Sequence, residues 1–376
     1  MRAMARPRRA PLGIGESAPW FYAAALGGVR RYAFDTAGGR NVLMLFFGSA
    51  ADPAGAAALA KLAARRALFD DVGASFFGVT VDPADVTQKR IRQRLPGIRF
   101  FIDHDRAVSA AFGALPEEAS GHYRGHWLLL DRTLRAIAHY PLGEGDAALA
   151  AFAALAGAPP WPDWAPAVMI PNVLEPELCR TLIGLYEADG GEDSGFMRDV
   201  GGTTKLLLDP EMKVRRDYLI EGADLARQLN ARLIHRLNPM IERAFQFRAT
   251  RVERLVVACY EAAAGGHFRA HRDNTTRGTA HRRFAVTINL NAEDYEGGDL
   301  AFPEFGPRTY RAPTGGAISF SCSLLHQAMP VTKGRRFAFL PFLYDEAGAK
   351  RREENAHFPE GEAANYRADQ DVAIGV

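Results

Sequence analysis

The feature that most limits how this chain can fold is the proline-dense stretch Gly157-Ala158-Pro159-Pro160-Trp161-Pro162-Asp163-Trp164-Ala165-Pro166. Proline fixes φ and has no amide hydrogen, so such a span fits neither a helix interior nor a central strand. It reads as a stiff linker, with Trp161 and Trp164 packing against one or both flanking domains. The patterns on its two sides differ. Before it, strand-like and helix-like segments alternate. Beyond Arg254, strand-like segments follow one another. A chain of 376 residues exceeds one ordinary core, and two domains are expected, 1–160 and 161–376.

In the first half, Val42–Phe47 is continuously apolar, as a buried strand should be. Asp52 followed by Pro53 is an N-cap with proline at the first helical position, opening a helix over Pro53–Phe69. A second strand is expected over Ser75–Val81, a helix over Ala84–Arg94, a strand over Ile98–Ile102 and a hairpin from Trp127–Leu130 and Leu134–Tyr140. This alternation predicts an α/β layer fold. His122 and His126 have metal spacing for a helix, but Gly121, Gly125 and the following strand argue against one there.

The second half opens with a predicted helix over Pro176–Ala188, its apolar face formed by Leu178, Leu182, Leu185 and Tyr186. The acidic run 189–195 reads as a loop, either bordering a substrate or simply solvated. Leu225, Leu229, Leu233, Leu237, Ile241 and Phe245 mark a long helix that Pro239 should kink or split. His235 on that helix is a packing or surface residue. Strands are then expected over Arg254–Tyr260, Gly266–His271, Phe284–Leu290, Asp299–Pro303, Ala317–Cys322 and Arg336–Tyr344. Many short strands predict an antiparallel sandwich or jelly roll. From Ala347 the chain reads as a helix fragment and a polar tail.

Composition sets the class. With 48% hydrophobic and 24% charged residues and a net charge of +2, the chain is of ordinary globular type. The charge indicates no nucleic-acid partner, and Arg2, Arg6, Arg8 and Arg9 read as a solvated basic tail. Cys179, Cys259 and Cys322 are scattered and odd in number, which fits a reducing cytoplasm rather than a disulfide framework or zinc site. No convincing signal-peptide cleavage site and no membrane-spanning run is found.

Chemistry concentrates in His271-Arg272-Asp273. Residues two apart on a strand face the same way, so His271 and Asp273 pair while Arg272 turns away. With a second imidazole from another strand, they form a two-histidine, one-carboxylate set that suits non-haem Fe(II) with open positions. His326 supplies that imidazole. An HxD tripeptide alone is common. Here it is followed by Gly297-Gly298-Asp299-Leu300, His326 and Pro330-Val331-Thr332-Lys333-Gly334-Arg335-Arg336-Phe337. His267 and His281 read as surface or supporting residues. Arg269 and Arg272 are either substrate contacts or solvated, and Cys259 and Cys322 are small core residues.

From Arg254 to Tyr344 these motifs resemble the Fe(II)/2-oxoglutarate dioxygenases, most closely the prolyl 4-hydroxylase-like group. The resemblance implies a double-stranded β-helix (jelly roll) with an α+β character and a core at about 254–346. It also implies Fe(II) held by His271, Asp273 and His326. Arg336 would grip the distal carboxylate of 2-oxoglutarate, because a guanidinium is a two-pronged donor. Arg335 lies on the opposite face. Tyr260 would donate to the same carboxylate, and Asn289 and Thr287, on one strand face, would line the cosubstrate pocket. The implied reaction is O2-dependent hydroxylation of a prolyl, amino-acid or small-molecule C–H with release of succinate and CO2, ascorbate being a possible reductant.

Residues 12 to 156 resemble the peroxiredoxin branch of the thioredoxin-like family. Gly15-Glu16-Ser17-Ala18-Pro19-Trp20-Phe21, Leu43–Phe47, Phe77–Asp82 and Asp103–Val108 carry the likeness. Peroxiredoxins place a reactive cysteine at the start of the helix after the first buried strand. Here that turn reads Ser49-Ala50-Ala51-Asp52-Pro53-Ala54-Gly55, and no cysteine precedes Cys179, so this domain alone is no thiol peroxidase. It is expected to dock a protein partner, dimerise or brace the second domain. An alternative reading makes the chain a scaffold or sensor that reports O2 or 2-oxoglutarate.

Overall fold

A computed structural model describes residues 10–115, 122–159, 163–361, 363 and 372–373. The basic cluster from Arg2 to Arg9, Gly121 and Trp161 lie outside them. The chain divides into two compact units. One runs to Pro162 and includes Pro303–Gly306; the other comprises Asp163–Phe302 and Pro307–Val376. No described helix is long and apolar enough to cross a membrane.

The first unit is a thioredoxin-like seven-stranded sheet. Its strands are β1 (Tyr22–Ala25), β2 (Val29–Ala33), β3 (Asn41–Gly48), β4 (Ala74–Thr80), β5 (Ile98–Ile102), β6 (His126–Leu130) and β7 (Ala136–Pro141), ordered β2-β1-β5-β4-β3-β6-β7. β3, β4 and β5 run parallel, and β6 runs antiparallel to β3. Every residue of β3 is buried. Its alternate side chains enter two different cores. Val42, Met44 and Phe46 join one with Phe34, Phe77, Phe101 and Phe112, while Leu43, Leu45 and Phe47 join the other with Phe76, Trp127 and Phe152.

Helices α1 (Pro53–Ala64), α2 (Pro83–Thr87), α3 (Ala107–Ala111) and α4 (Gly145–Gly157) complete the unit. Asp52 caps α1 through Ala54 N, with Pro53 at its start. The expected helix over Ala84–Arg94 is a single short turn. It closes by Gln88, and Lys89 follows with φ at +54°, outside helical geometry.

The second unit begins with β8 (Ala167–Ile170), α5 (Pro176–Asp189), β9 (Glu192–Asp193) and a hairpin, β10 (Phe196–Val200) with β11 (Thr203–Leu207). The acidic run expected as loop thus holds a short strand. β12 (Lys213–Val214) and β13 (Arg216–Leu219) come next. The long apolar stripe is broken into α6 (Ala223–Arg232), a π-helical turn (Leu233–Leu237) and α7 (Asn238–Phe245). Pro239 lacks the N–H that would bond back to His235, and the ladder widens just before it. Leu229, Leu233, Leu237 and Ile241 nevertheless stay in one core.

The jelly roll contains β14 (Arg251–Glu253), β15 (Val256–Glu261), β16 (His267–His271), β17 (Phe284–Asn289), β18 (Glu296–Gly297), β19 (Leu300–Ala301), β20 (Thr309–Tyr310), β21 (Ala317–Ser321), β22 (His326–Ala328), β23 (Val331–Lys333), β24 (Arg335–Phe339) and β25 (Phe342–Tyr344). The strand expected over Arg336–Tyr344 is two strands, because Pro341 cannot donate to the ladder. The larger sheet contains β14-β25-β17-β24-β15-β13-β9, and the smaller is β12-β16-β22-β19-β20. α8 (Glu346–Glu354) follows. Trp164 does not pack into a core; it is 66% exposed, with the Arg308 guanidinium 3.7 Å from its ring centroid.

One ionic cluster lies inside the larger sheet. Glu253 is 1% exposed and receives Arg282 Nε at 2.8 Å and His281 Nε2 at 2.8 Å. His281, expected at the surface or in support of the site, is therefore core. Burial alone would raise the Glu253 carboxyl, but Arg282 and His281 outweigh it and hold it well below the usual range. Burial pushes His281 down. Both folded pKa values lie below their unfolded ones. The stabilisation is therefore complete above the ordinary histidine value and fades as pH falls through it and then through the carboxylate range. Glu253→Ala should cost about 3–5 kcal/mol by stranding a buried guanidinium. Urea melts at neutral pH check this, and the wild type should lose stability on acidification more steeply than the variant.

Candidate functional site

The smaller sheet brings three side chains together. His271 ends β16 and His326 opens β22, and the two are directly paired across the strands. Asp273 follows two residues after His271, and its backbone N–H donates to Cys322 O at 3.0 Å. His271 Nε2 lies 3.4 Å from Asp273 Oδ1, and His326 Nε2 lies 3.3 Å from Asp273 Oδ2. One ligand atom from each lies within 4.8 Å of the others.

The tautomers are set from behind. His271 Nδ1 meets Arg269 O at 2.8 Å and His326 Nδ1 meets Leu324 O at 3.1 Å. A carbonyl can only accept, so Nδ1 carries the proton and each Nε2 lone pair faces the carboxylate. Burial pushes His326 down to about 4, keeping its imidazole neutral at physiological pH. The Asp273 carboxyl lies below its ordinary value and is ionised at physiological pH. Two imidazole Nε2 atoms and a carboxylate, oriented at one point, fit a divalent iron. Arg272 turns away and is buried, donating to Ser323 O. Arg269 is exposed and paired with Glu211.

A shift in register between Phe268 and His271 matters here. Three residues apart on a regular strand, the two would face opposite ways. The extra residue returns them to one face. The Phe268 ring consequently stacks on the His271 imidazole, with centroids 3.5 Å apart. Phe320 flanks His326 at 4.6 Å.

The larger sheet supplies the other candidates. Tyr260 on β15 and Arg336 on β24 are cross-strand partners, both 3% exposed, and the Arg336 guanidinium lies 5.1 Å from the Tyr260 ring centroid. Arg336 Nη2 donates to Thr287 Oγ1 at 3.0 Å, while its buried Nε has no hydrogen-bond partner among the described residues. A buried guanidinium beside a neutral hydroxyl, with a spare donor, suits an incoming carboxylate. Gly298, with φ at +67°, leaves the room Arg336 needs: a Cβ there would stand 3.2 Å from Arg336 Cδ. Arg335 faces outward to Glu187. Asn289, two residues beyond Thr287 on β17, donates its amide to Ala312 O at 2.7 Å, leaving its buried Oδ1 without a hydrogen-bond partner among the described residues.

Sequence reasoning passed over Lys213, Arg215 and Asp217. All three are largely buried, and Arg215 donates to Tyr260 Oη at 3.4 Å and to Asp217 Oδ2 at 2.6 Å. Their signal was charge at every second position of a strand-like run, which sets three charges on one face. His126, spaced for a metal with His122, is instead stacked on Phe46 at 4.7 Å, and His122 is exposed. All three cysteines are buried and free, and burial pushes the Cys179 and Cys259 thiols up to about 11, away from reactivity.

Residues 255–344 match the model of the 2OG-Fe(II) oxygenase superfamily, and residues 14–137 match that of the AhpC/TSA family. A PKHD-type hydroxylase of Pseudomonas fluorescens is 33% identical over 130 residues, which cover 32% of this chain and 56% of that protein. The chain thus spans little more than half of that relative's length. A PKHD-type hydroxylase of Phenylobacterium zucineum is 30% identical over 181 residues, covering 44% of this chain and 73% of that protein. The crystal structure of a Pseudomonas putida prolyl-4-hydroxylase aligns with a TM-score of 0.38 at 18% identity, over 48% of this chain and 94% of that one. Through its second half, this chain belongs to the 2OG-Fe(II) oxygenase superfamily.

Proposed function

We propose that the second unit is an Fe(II)- and 2-oxoglutarate-dependent hydroxylase. The observation that carries this is the convergence of His271, Asp273 and His326 within 4.8 Å, with both imidazoles turned the right way. In this reading His271 Nε2, His326 Nε2 and an Asp273 oxygen hold the metal. Arg336 binds the distal carboxylate of 2-oxoglutarate, Tyr260 donates its hydroxyl to the same group, and Thr287 holds Arg336 in place. Asn289 braces the adjoining loop through Ala312. Once bound, metal and cosubstrate supply O2-dependent oxidation of an unactivated C–H, with succinate and CO2 as co-products. Phe268 and Phe320 keep water from the two imidazoles.

The substrate class is a prolyl or amino-acid residue or another small molecule, and ascorbate is the expected reductant. The buried free thiols support a reducing, cytoplasmic setting. The first unit, which offers no thiol, is assigned to partner docking or dimerisation. A scaffold or sensor role for the whole chain does not by itself call for the buried guanidinium of Arg336, and catalysis is the stronger reading.

His326→Ala should abolish Fe(II)-dependent succinate formation; turnover at the wild-type rate in that variant would refute the ligand assignment. Arg336→Met should weaken 2-oxoglutarate binding by about 10- to 100-fold, the worth of a charge-assisted hydrogen-bond pair. Calorimetric titration should find metal affinity unchanged in the same variant.

A further inference from the structure

Lys213 is a buried cation whose link to a carboxylate, Asp217, runs through Ser194 Oγ, which donates to Asp217 Oδ2 at 2.5 Å. Its residue is 7% exposed, and its Nζ donates to Ser194 Oγ at 2.7 Å and to Gly195 O at 2.6 Å. Both partners are neutral. An ammonium has three donors, so one is left over. Among the described residues no carboxylate lies within ion-pair distance of it.

Its position ties it to the reaction chamber. Lys213 on β12 pairs with Phe268 on β16, and Nζ lies 4.9 Å from the Phe268 ring centroid. That ring is the one stacked on His271. Phe268 also packs against the cluster containing Tyr260, Tyr295 and Ala328, which reaches the Arg336 side of the chamber. Lys213 and His271 thus both lie against the Phe268 ring.

Beside Lys213, two guanidinium groups share one carboxylate. Arg215 is neutralised by Asp217 at 2.6 Å, which Arg254 also approaches at 3.8 Å. On the reading above, Arg336 meets the distal carboxylate of 2-oxoglutarate, and Asp273 with the proximal carboxylate balances the divalent metal. Lys213, Arg215 and Arg254 are left with the single Asp217 carboxylate between them, so this corner carries excess positive charge. Burial pushes the Lys213 pKa well down, so holding the charged form there is costly until an anion arrives.

We propose that Lys213 anchors a carboxylate of the primary substrate, so that this enzyme acts on an organic acid whose reacting C–H lies near that carboxylate. The inference rests on the hydroxylase reading. A free amino acid and a peptide's C-terminal carboxylate present the same chemistry, whereas an uncharged internal peptide segment does not.

The test uses the full chain loaded with Mn(II), anaerobically, with and without saturating 2-oxoglutarate. Amino acids and short proline-containing peptides are titrated, each as the free acid and as the terminal amide, and binding is read by calorimetry. At least one free acid should bind about tenfold or more tightly than its amide. That preference should vanish in Lys213→Met and survive in Lys213→Arg. Amino acids against peptides then identify the source of the carboxylate. Ligand-free Lys213→Met should melt at or above the wild type, because removing an unpaired buried charge relieves desolvation. Acids and amides binding alike or not at all would overturn the proposal. So would a preference that persists in Lys213→Met, or a markedly lower melting temperature of that variant, which would mark a structural role. Failure of the wild type to bind 2-oxoglutarate would instead strike the reading beneath it.

Discussion

The site depends on one cross-strand pairing. His271 and His326 face each other across β16 and β22, and the backbone ladder sets their spacing before any metal is considered. Asp273 joins them from the turn just beyond β16, where its backbone N–H is held by Cys322 O. The carbonyls of Arg269 and Leu324 then turn the imidazoles. Preorganisation of this kind means that the electrostatic repulsion and ordering entropy of assembling a metal site are met during folding. It also explains the register shift beside His271. That shift places an aromatic ring against the imidazole, where a regular strand would have faced it away.

Charge inside the second unit is arranged on two different terms. Glu253, His281 and Arg282 form a closed group in which every charge has a partner, and its effect is on stability and its pH dependence. Arg336 and Lys213 are instead buried cations held by neutral oxygens. Folding gains little from such groups, because no carboxylate pairs with either directly and desolvation is at most partly offset. On the proposed reading, the carboxylates of cosubstrate and substrate complete the chamber. The distinction between closed and open ion groups is what separates architecture from binding here, more than burial itself does.

Much of this was legible from pattern. The continuous apolar run of β3 predicts a strand covered on both faces, and its side chains do enter two cores. Strand period places Arg336 inward and Arg335 outward. Other features depend on tertiary context. The helix expected to reach Arg94 stops at Thr87, since nothing in its polar run (Gln88, Lys89, Arg90) can be buried. Pro341 marks a break within the final strand, yet a strong apolar run masks it. His281 looks like a surface residue until Glu253, distant in sequence, is brought to it. Lys213, Arg215 and Asp217 carry the two-residue period openly, but charges at that spacing ordinarily mark a solvated face, so their burial could not be read from order alone.

The first unit illustrates how separable a fold is from its chemistry. Its stability resides in the two aromatic cores flanking β3, to which the turn at residues 49–55 contributes little. In peroxiredoxins that turn presents a thiolate. Here Ser49 Oγ donates to Asp82 at 2.6 Å, while the Ala50 amide and Thr80 hydroxyl donate to Asp85 Oδ2 at 2.9 and 2.6 Å. Asp85 is fully buried and also receives Arg90. A carboxylate of the chain itself therefore occupies donors that would otherwise face an external anion. With those donors satisfied internally and no thiol in the turn, the turn keeps its fold without the peroxiredoxin chemistry.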